Sequence, residues 1–198
     1  VDENCRLDGG DRSVYGCTKI MADLMIQEWA DAFGIPAAIN RCSCLAGSWQ
    51  WGMADQGWVA WWIIAHTFNM PLKYFGFKGK QVRDILFIDD LCVLIERQIQ
   101  QLGTSKQAEV FNVCGGTFNN LSLIESTRLA EDVTGNVVNV EVVSEPRRAD
   151  FPVYISDTSK VSNRYGWYPT ISVEEGFQDI HRWVLDNTDI IMGLHDIP

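Results

Sequence analysis

Tyr15 and Lys19, in the stretch SVYGCTKIMAD, stand four residues apart at the head of a segment with helical spacing. On a helix that spacing puts both side chains on one face, a turn apart. A tyrosine hydroxyl ordinarily titrates at about 10. It works as a base near neutral pH only beside a positive charge, which Lys19 supplies. The same ammonium can donate to a sugar hydroxyl. A packed tyrosine beside a solvated lysine gives the same pattern, so the pair gains meaning only from what accompanies it.

Two arginine clusters accompany it. Arg83 follows the glycine-bounded GFKGKQ, with Gln81 just before it and Asp84 just after. A guanidinium grips a phosphate through two parallel hydrogen bonds, and Asp84 is placed to orient it; the alternative is a plain surface pair. In EPRRADF, Arg147, Arg148 and Asp150 form either a second clamp, for a diphosphate and a ribose diol, or a solvated loop. With a net charge of -10 the chain has few basic clusters to spare. Trp49 and Trp51, in a glycine-rich loop, are expected to wall a base or sugar pocket, and Trp58, Trp61 and Trp62 to be core. Asp55 and Gln56, at the end of that loop, are placed to grip sugar hydroxyls.

These groups need elements to hold them. Residues 14–33 read as a helix stopped by Gly34, IPAAINRC as a strand buried on both faces, SCLAGSWQWGMADQG as a loop, and Trp58 to Phe68 as a second helix. PLKYFGFKGKQVRDILF reads as a hairpin around Gly-Phe-Lys-Gly, and IDDLCVLIERQIQQL as a helix. Glu109 to Cys114 is a strand. Capping boxes at Ser122/Glu125 and Ser172/Glu175 open two more helices, with the strand candidate NVVNVEVV between them. Parallel-type strands with crossover helices come first, then shorter elements. This predicts an α/β chain: the C-terminal part of a doubly wound sheet interleaved with a smaller α+β substrate-binding lobe. Residues 1–70 are assigned to the first unit and 71–198 mainly to the lobe, with 88–116 returning to the sheet.

At 198 residues the chain makes one or two compact units. The charge of -10 argues against nonspecific nucleic-acid binding. No apolar run reaches the ~18 residues that span a bilayer, so no membrane partner is expected. Six cysteines without a CxxC pair, and His66, His181 and His195 without ligand spacing, predict free thiols in a reducing, cytoplasmic setting and no metal. There is no signal peptide, and the opening VDENCRLDGGDRS reads like the middle of a longer protein.

Taken in order, YGCTKIMAD, RCSCLAG, DQGWVAWW, GKQVRDILFIDDL, FNVCGG, SLIES and RRADFPVYISDTSKV resemble the extended short-chain dehydrogenases/reductases, the NAD-dependent sugar-nucleotide epimerases and dehydratases. The resemblance implies NAD as cofactor and a nucleotide sugar as substrate. It makes Tyr15 the catalytic tyrosine and Lys19 the lysine that holds the nicotinamide ribose. Cys42 and Ser43 fall where the nicotinamide is lined. Arg83, with Gln81, grips the substrate diphosphate; Arg147 and Asp150 contact the nucleotide end; Asp55, Gln56 and Gly57 fall at the sugar pocket. A 4-epimerase, a 4,6-dehydratase and a non-catalytic nucleotide-sugar binder all remain open.

Two family features have no counterpart here. The sequence has no Gly-x-x-Gly-x-x-Gly turn, and CGGTFNN has other spacing and comes after a late strand. Ser13 is too close to Tyr15 to be the serine or threonine that polarises the substrate oxygen. The expectation is therefore a fragment, lacking on the order of 120 upstream residues, inactive and adhesive alone, and a homo-oligomer when full length.

Overall fold

The computed structural model describes residues 1–7, 11, 13–104 and 107–197. Helix α1 (Val14–Phe33) starts where the Ser13 hydroxyl accepts the Gly16 N–H at 3.0 Å and stops where Gly34 turns left-handed. Strands β1 (Ala37–Cys42) and β2 (Cys44–Ala46) follow, then helix α2 (Trp58–Thr67) and strands β3 (Leu72–Phe75) and β4 (Val82–Phe87). Next come α3 (Ile88–Gln101), β5 (Ala108–Val113), β6 (Asn120–Ser122), α4 (Leu123–Thr134), β7 (Val140–Val143) and β8 (Val153–Tyr154). Helices α5 (Ser159–Tyr165), α6 (Val173–Asp186) and α7 (Thr188–Leu194) complete the order. Both anticipated capping boxes form, at Ser122 with Glu125 and at Ser172 with Glu175.

The strands pair mostly in parallel. β1 runs beside β5, with Ala37 opposite Ala108 and Cys42 opposite Val113. β4 is the centre of a second group, parallel to β2 and β8 and antiparallel to β6. β3 pairs in parallel with β7. Parallel neighbours need crossover connections, and everything from β2 to α3 lies between β1 and its parallel partner β5.

Two sequence expectations fail here. The segment from Pro71 to Phe87 is not a hairpin, because β3 and β4 turn away from each other at Gly76–Gly79 and take different partners. Pairing with β7 buries Leu72 and Tyr74 against the main core and sets Lys73 2.8 Å from Glu141. Burial of the apolar face, rather than the local turn, selected the partner. Likewise Cys44–Ala46, expected as loop, is strand β2, recruited by β4.

Alternation along β4 links two cores. Ile85 and Phe87 face the larger one, built from α2, α4 and α6 with Ile63, Ile64, Phe177, Ile180 and Val184. Leu86 faces the smaller, with Leu94, Phe111, Val113, Val161 and Trp167. Gly176 lets α6 lie directly on β4, since a Cβ there would come within 2.0 Å of the Phe87 ring. Helix α1 is different: Ala30 is its one buried residue, while Met21, Leu24, Met25, Trp29 and Phe33 are exposed. Among the described residues, no helix is long and apolar enough to cross a membrane.

Candidate active site

Two clefts lie side by side and share a wall made by Cys44 and Trp58. The first, about 790 Å³, is bounded by α1, the ends of β1 and β2, and the start of α2. Tyr15, Lys19, Cys42, Ser43, Gln56 and Gly57 all line it. The second, about 590 Å³, contains Asp55, Gln81, Arg83, Arg147 and Asp150. The fold thus brings the residues that the family resemblance points to into two adjoining spaces, with the loop before α2 divided between them; Trp49, Trp51 and Asp84 line neither.

In the first cleft Tyr15 occupies the opening turn of α1 and is exposed, with the Lys19 ammonium 5.4 Å from its ring centroid. Lys19 makes no ion pair among the described residues. Ser13 is engaged as the helix cap. Across the cleft, the Ser43 N–H donates to Cys114 Sγ at 3.2 Å and its hydroxyl donates to the Asp84 carbonyl at 3.2 Å. Burial pushes the Cys42 thiol up to about 11 and the Cys114 thiol up to about 12, and raises Cys44 as well. These thiols are protonated at neutral pH. Cys42 and Cys44 line the cleft as neutral groups rather than nucleophiles, and Cys114 is buried.

The second cleft is rich in guanidinium groups. Arg83 is paired with the Asp150 carboxylate and donates to the Val82 carbonyl at 2.7 Å. Arg147 donates to the Ala54 carbonyl at 2.7 Å, reaches Asp55 Oδ1 at 3.4 Å and lies 4.6 Å above the Phe75 ring. Arg148 and Lys73 line the same space. Gln81 is buried and donates to the Phe75 carbonyl at 3.1 Å, while its Oε1 has no partner among the described residues. A buried acceptor left unpaired beside two guanidinium groups suits a ligand that brings both an anion and a donor.

Two sequence readings change. Asp84 does not orient Arg83: successive strand residues face opposite ways, and Asp84 is fully buried, accepting the N–H groups of Gly116 and Ser156 at 3.2 and 2.9 Å. The residue that holds Arg83 is Asp150, 67 positions away. Trp49 and Trp51 wall neither cleft; they pack on Trp183 with ring centroids 5.9 and 5.2 Å apart. Trp58, Trp61 and Trp62, assigned to core from the sequence, do sit in or pack against the main core, and all three also line the second cleft. Only Trp62 of these is buried, its Nε1 donating to Thr127 at 3.0 Å. Nothing local in the sequence shows that the face of α2 carrying Trp58, Trp61 and Trp62 borders open space as well as core.

Asp23 and Arg41, which also line the first cleft, were not singled out by the sequence. The (i, i+4) step from Lys19 to Asp23 was the available sign. No group of three or more His, Cys, Asp or Glu side chains is placed to hold a metal among the described residues. Buried His66 donates from Nδ1 to the Trp62 carbonyl at 2.7 Å, a structural contact.

Known proteins share this arrangement of elements. The chain is similar to CDP-paratose 2-epimerase of Salmonella typhi, 32% identical over 188 residues, which cover 92% of this chain and 54% of that protein. It is also similar to UDP-glucuronate 4-epimerase of Thermodesulfobacterium geofontis, at 28% identity over 92% of this chain and 53% of the relative. The solved UDP-glucose 4-epimerase of Stenotrophomonas maltophila, with bound NAD and formylated UDP-arabinopyranose, superposes with a TM-score of 0.82 at 19% identity. That match covers 96% of this chain and 59% of the other and establishes the Rossmann-type α/β fold. The chain spans about half the length of the curated relatives it matches. The family model for GDP-mannose 4,6 dehydratase matches residues 2–180, nearly the whole sequence, and the chain belongs to that epimerase and dehydratase family.

Proposed function

We propose that this chain is the C-terminal, substrate-side half of an NAD-dependent nucleotide-sugar epimerase that inverts C2 of CDP-paratose to give CDP-tyvelose. The observation that carries the reading is the shared wall at Cys44 and Trp58. It sets the Tyr15–Lys19 pair in a cleft directly beside one held by Arg83 and Arg147. A sugar diphosphate anchored at the arginines then has its ring at the junction, within reach of the tyrosine side. The identity to a CDP-paratose 2-epimerase favours the cytidine nucleotide and the C2 centre.

The residues present fit the nicotinamide end of NAD. Lys19 is free of ion pairs among the described residues and suits a ribose diol, while Ser43, apolar Ile20 and Val59, and the Cys42 and Cys44 thiols suit the flat face of an aromatic ring. NAD, when bound, supplies the acceptor and the donor of the hydride. The chain's own residues do the rest. Tyr15 oxygen takes the proton of the sugar hydroxyl and later returns it, with the Lys19 ammonium lying 5.4 Å over its ring. Arg83 and Arg147 hold the diphosphate while the keto sugar presents its other face, so that inversion balances without net oxidation. Trp58 and Trp61 keep water from the ring.

The reading includes a cytoplasmic homo-oligomer, with the exposed apolar face of α1 covered when full length. The test is to incubate the full-length protein with NAD and CDP-paratose and follow the sugar by NMR. CDP-tyvelose is expected; its absence, with turnover of a UDP- or dTDP-sugar instead, would move the assignment to a 4-epimerase or a 4,6-dehydratase.

A further inference from the structure

Lys19 lies between two competing partners on α1. One turn before it is Tyr15, over whose ring the ammonium lies at 5.4 Å, and one turn after it is Asp23. A lysine and an aspartate at (i, i+4) ordinarily attract. Here Asp23 is already taken. Arg41 Nε donates to Asp23 Oδ2 at 2.7 Å and Arg41 Nη2 donates to Asp23 Oδ1 at 3.2 Å, a two-pronged bond from β1. Gln27 donates to the same carboxylate. Both partners are shielded, the side chains being 21% and 11% exposed, and Arg41 Nη1 also donates to the Glu3 carbonyl at 3.1 Å.

The pair has two effects at once. Helix α1 has little apolar anchorage, so the bidentate bond fixes its height against β1 and hence the position of Tyr15. It also occupies the carboxylate that would otherwise draw Lys19 away from Tyr15. The charged and titratable groups facing this space are Tyr15, Lys19 and Asp23 from α1 and Arg41, Cys42 and Cys44 from β1 and β2. The two thiols are neutral at working pH, which leaves Asp23, among the described residues that line this space, as the anion able to compete for Lys19.

We propose that Arg41 is a positioning residue: by engaging Asp23 it keeps the Lys19 ammonium on Tyr15. This rests on the reading of Tyr15 and Lys19 given above, and it predicts an unusual order among variants. R41M frees Asp23 to capture Lys19, whereas R41M/D23N removes the competitor and lets Lys19 return; R41K, which keeps one donor, falls between.

Two measurements test it. In 1H–13C spectra of this chain, the Lys19 ε-methylene, assigned with K19R, carries an upfield ring-current shift from Tyr15. That shift should be lost in R41M and regained in R41M/D23N. In the full-length enzyme R41M should lower kcat roughly 10- to 100-fold, move the pH–rate profile to higher pH and leave the nucleotide-sugar KM within about twofold; the double variant should recover the wild-type profile. A purely structural role makes the double variant no better than R41M, and that result, or an unmoved Lys19 signal in R41M, overturns the proposal. Loss and recovery of the Lys19 signal in a protein without epimerase activity would instead uphold the positioning and overturn the proposed function.

Discussion

Trp58 Nε1 donates a hydrogen bond to Cys44 Sγ at 3.2 Å, and these two residues form the partition between the two clefts. The indole supplies area and the thiol fixes its tilt. Trp58→Ala should merge the clefts and admit water, lowering kcat/KM of the full-length enzyme by about 10²-fold, the scale set by misplaced reacting groups. Trp58→Phe keeps the wall without the donor and should cost only a few-fold; steady-state kinetics on both variants check this.

Arg83, held by Asp150, is the most firmly placed cation in the second cleft. Removing it with Arg83→Met should raise the nucleotide-sugar KM about 30-fold, the equivalent of ~2 kcal/mol for a charge-assisted bond. On the proposed function the diphosphate is gripped in both ground and transition states, so kcat should change less. Calorimetric titration with CDP should show the same loss.

Asp84 joins β4 to two other segments by accepting the Gly116 and Ser156 N–H groups in a fully buried setting. Asp84→Ala strands both donors and should destabilise the chain by about 3 kcal/mol. The midpoint of urea unfolding reads this directly.

Burial lowers His66 below the usual histidine range, as it does His181 and His195. The unfolded chain therefore binds more protons than the folded one once pH falls below the ordinary value of about 6.5. Stability should be flat above that point and decline as pH drops toward the lowered folded values. Thermal melts from pH 8 to pH 5 should show this decline, and it should be shallower in His66→Phe, with the residual slope coming from the other two histidines.

Trp29 and Phe33 pack edge to face at 5.8 Å on the uncovered side of α1. Contiguous exposed apolar area promotes association. The double substitution Trp29→Glu/Phe33→Glu should shift this chain toward monomer in size-exclusion chromatography while leaving its helical circular dichroism in place.

The sequence by itself determined what is local. Ser13, Gly34, Ser122 with Glu125, and Ser172 with Glu175 start and stop helices through contacts no more than a few residues long, so those boundaries were legible. The ordered motifs also named the side chains that the fold gathers, from Tyr15 to Asp150. Tertiary structure decided who faces whom. β3 joined β7 rather than β4, Arg83 found Asp150 rather than adjacent Asp84, Trp58 replaced Trp49 as a cleft wall, and Asp23 met Arg41. Each of these choices depends on which apolar face is buried and which charge comes within reach across tens of residues. That free energy exists only once the whole core has formed.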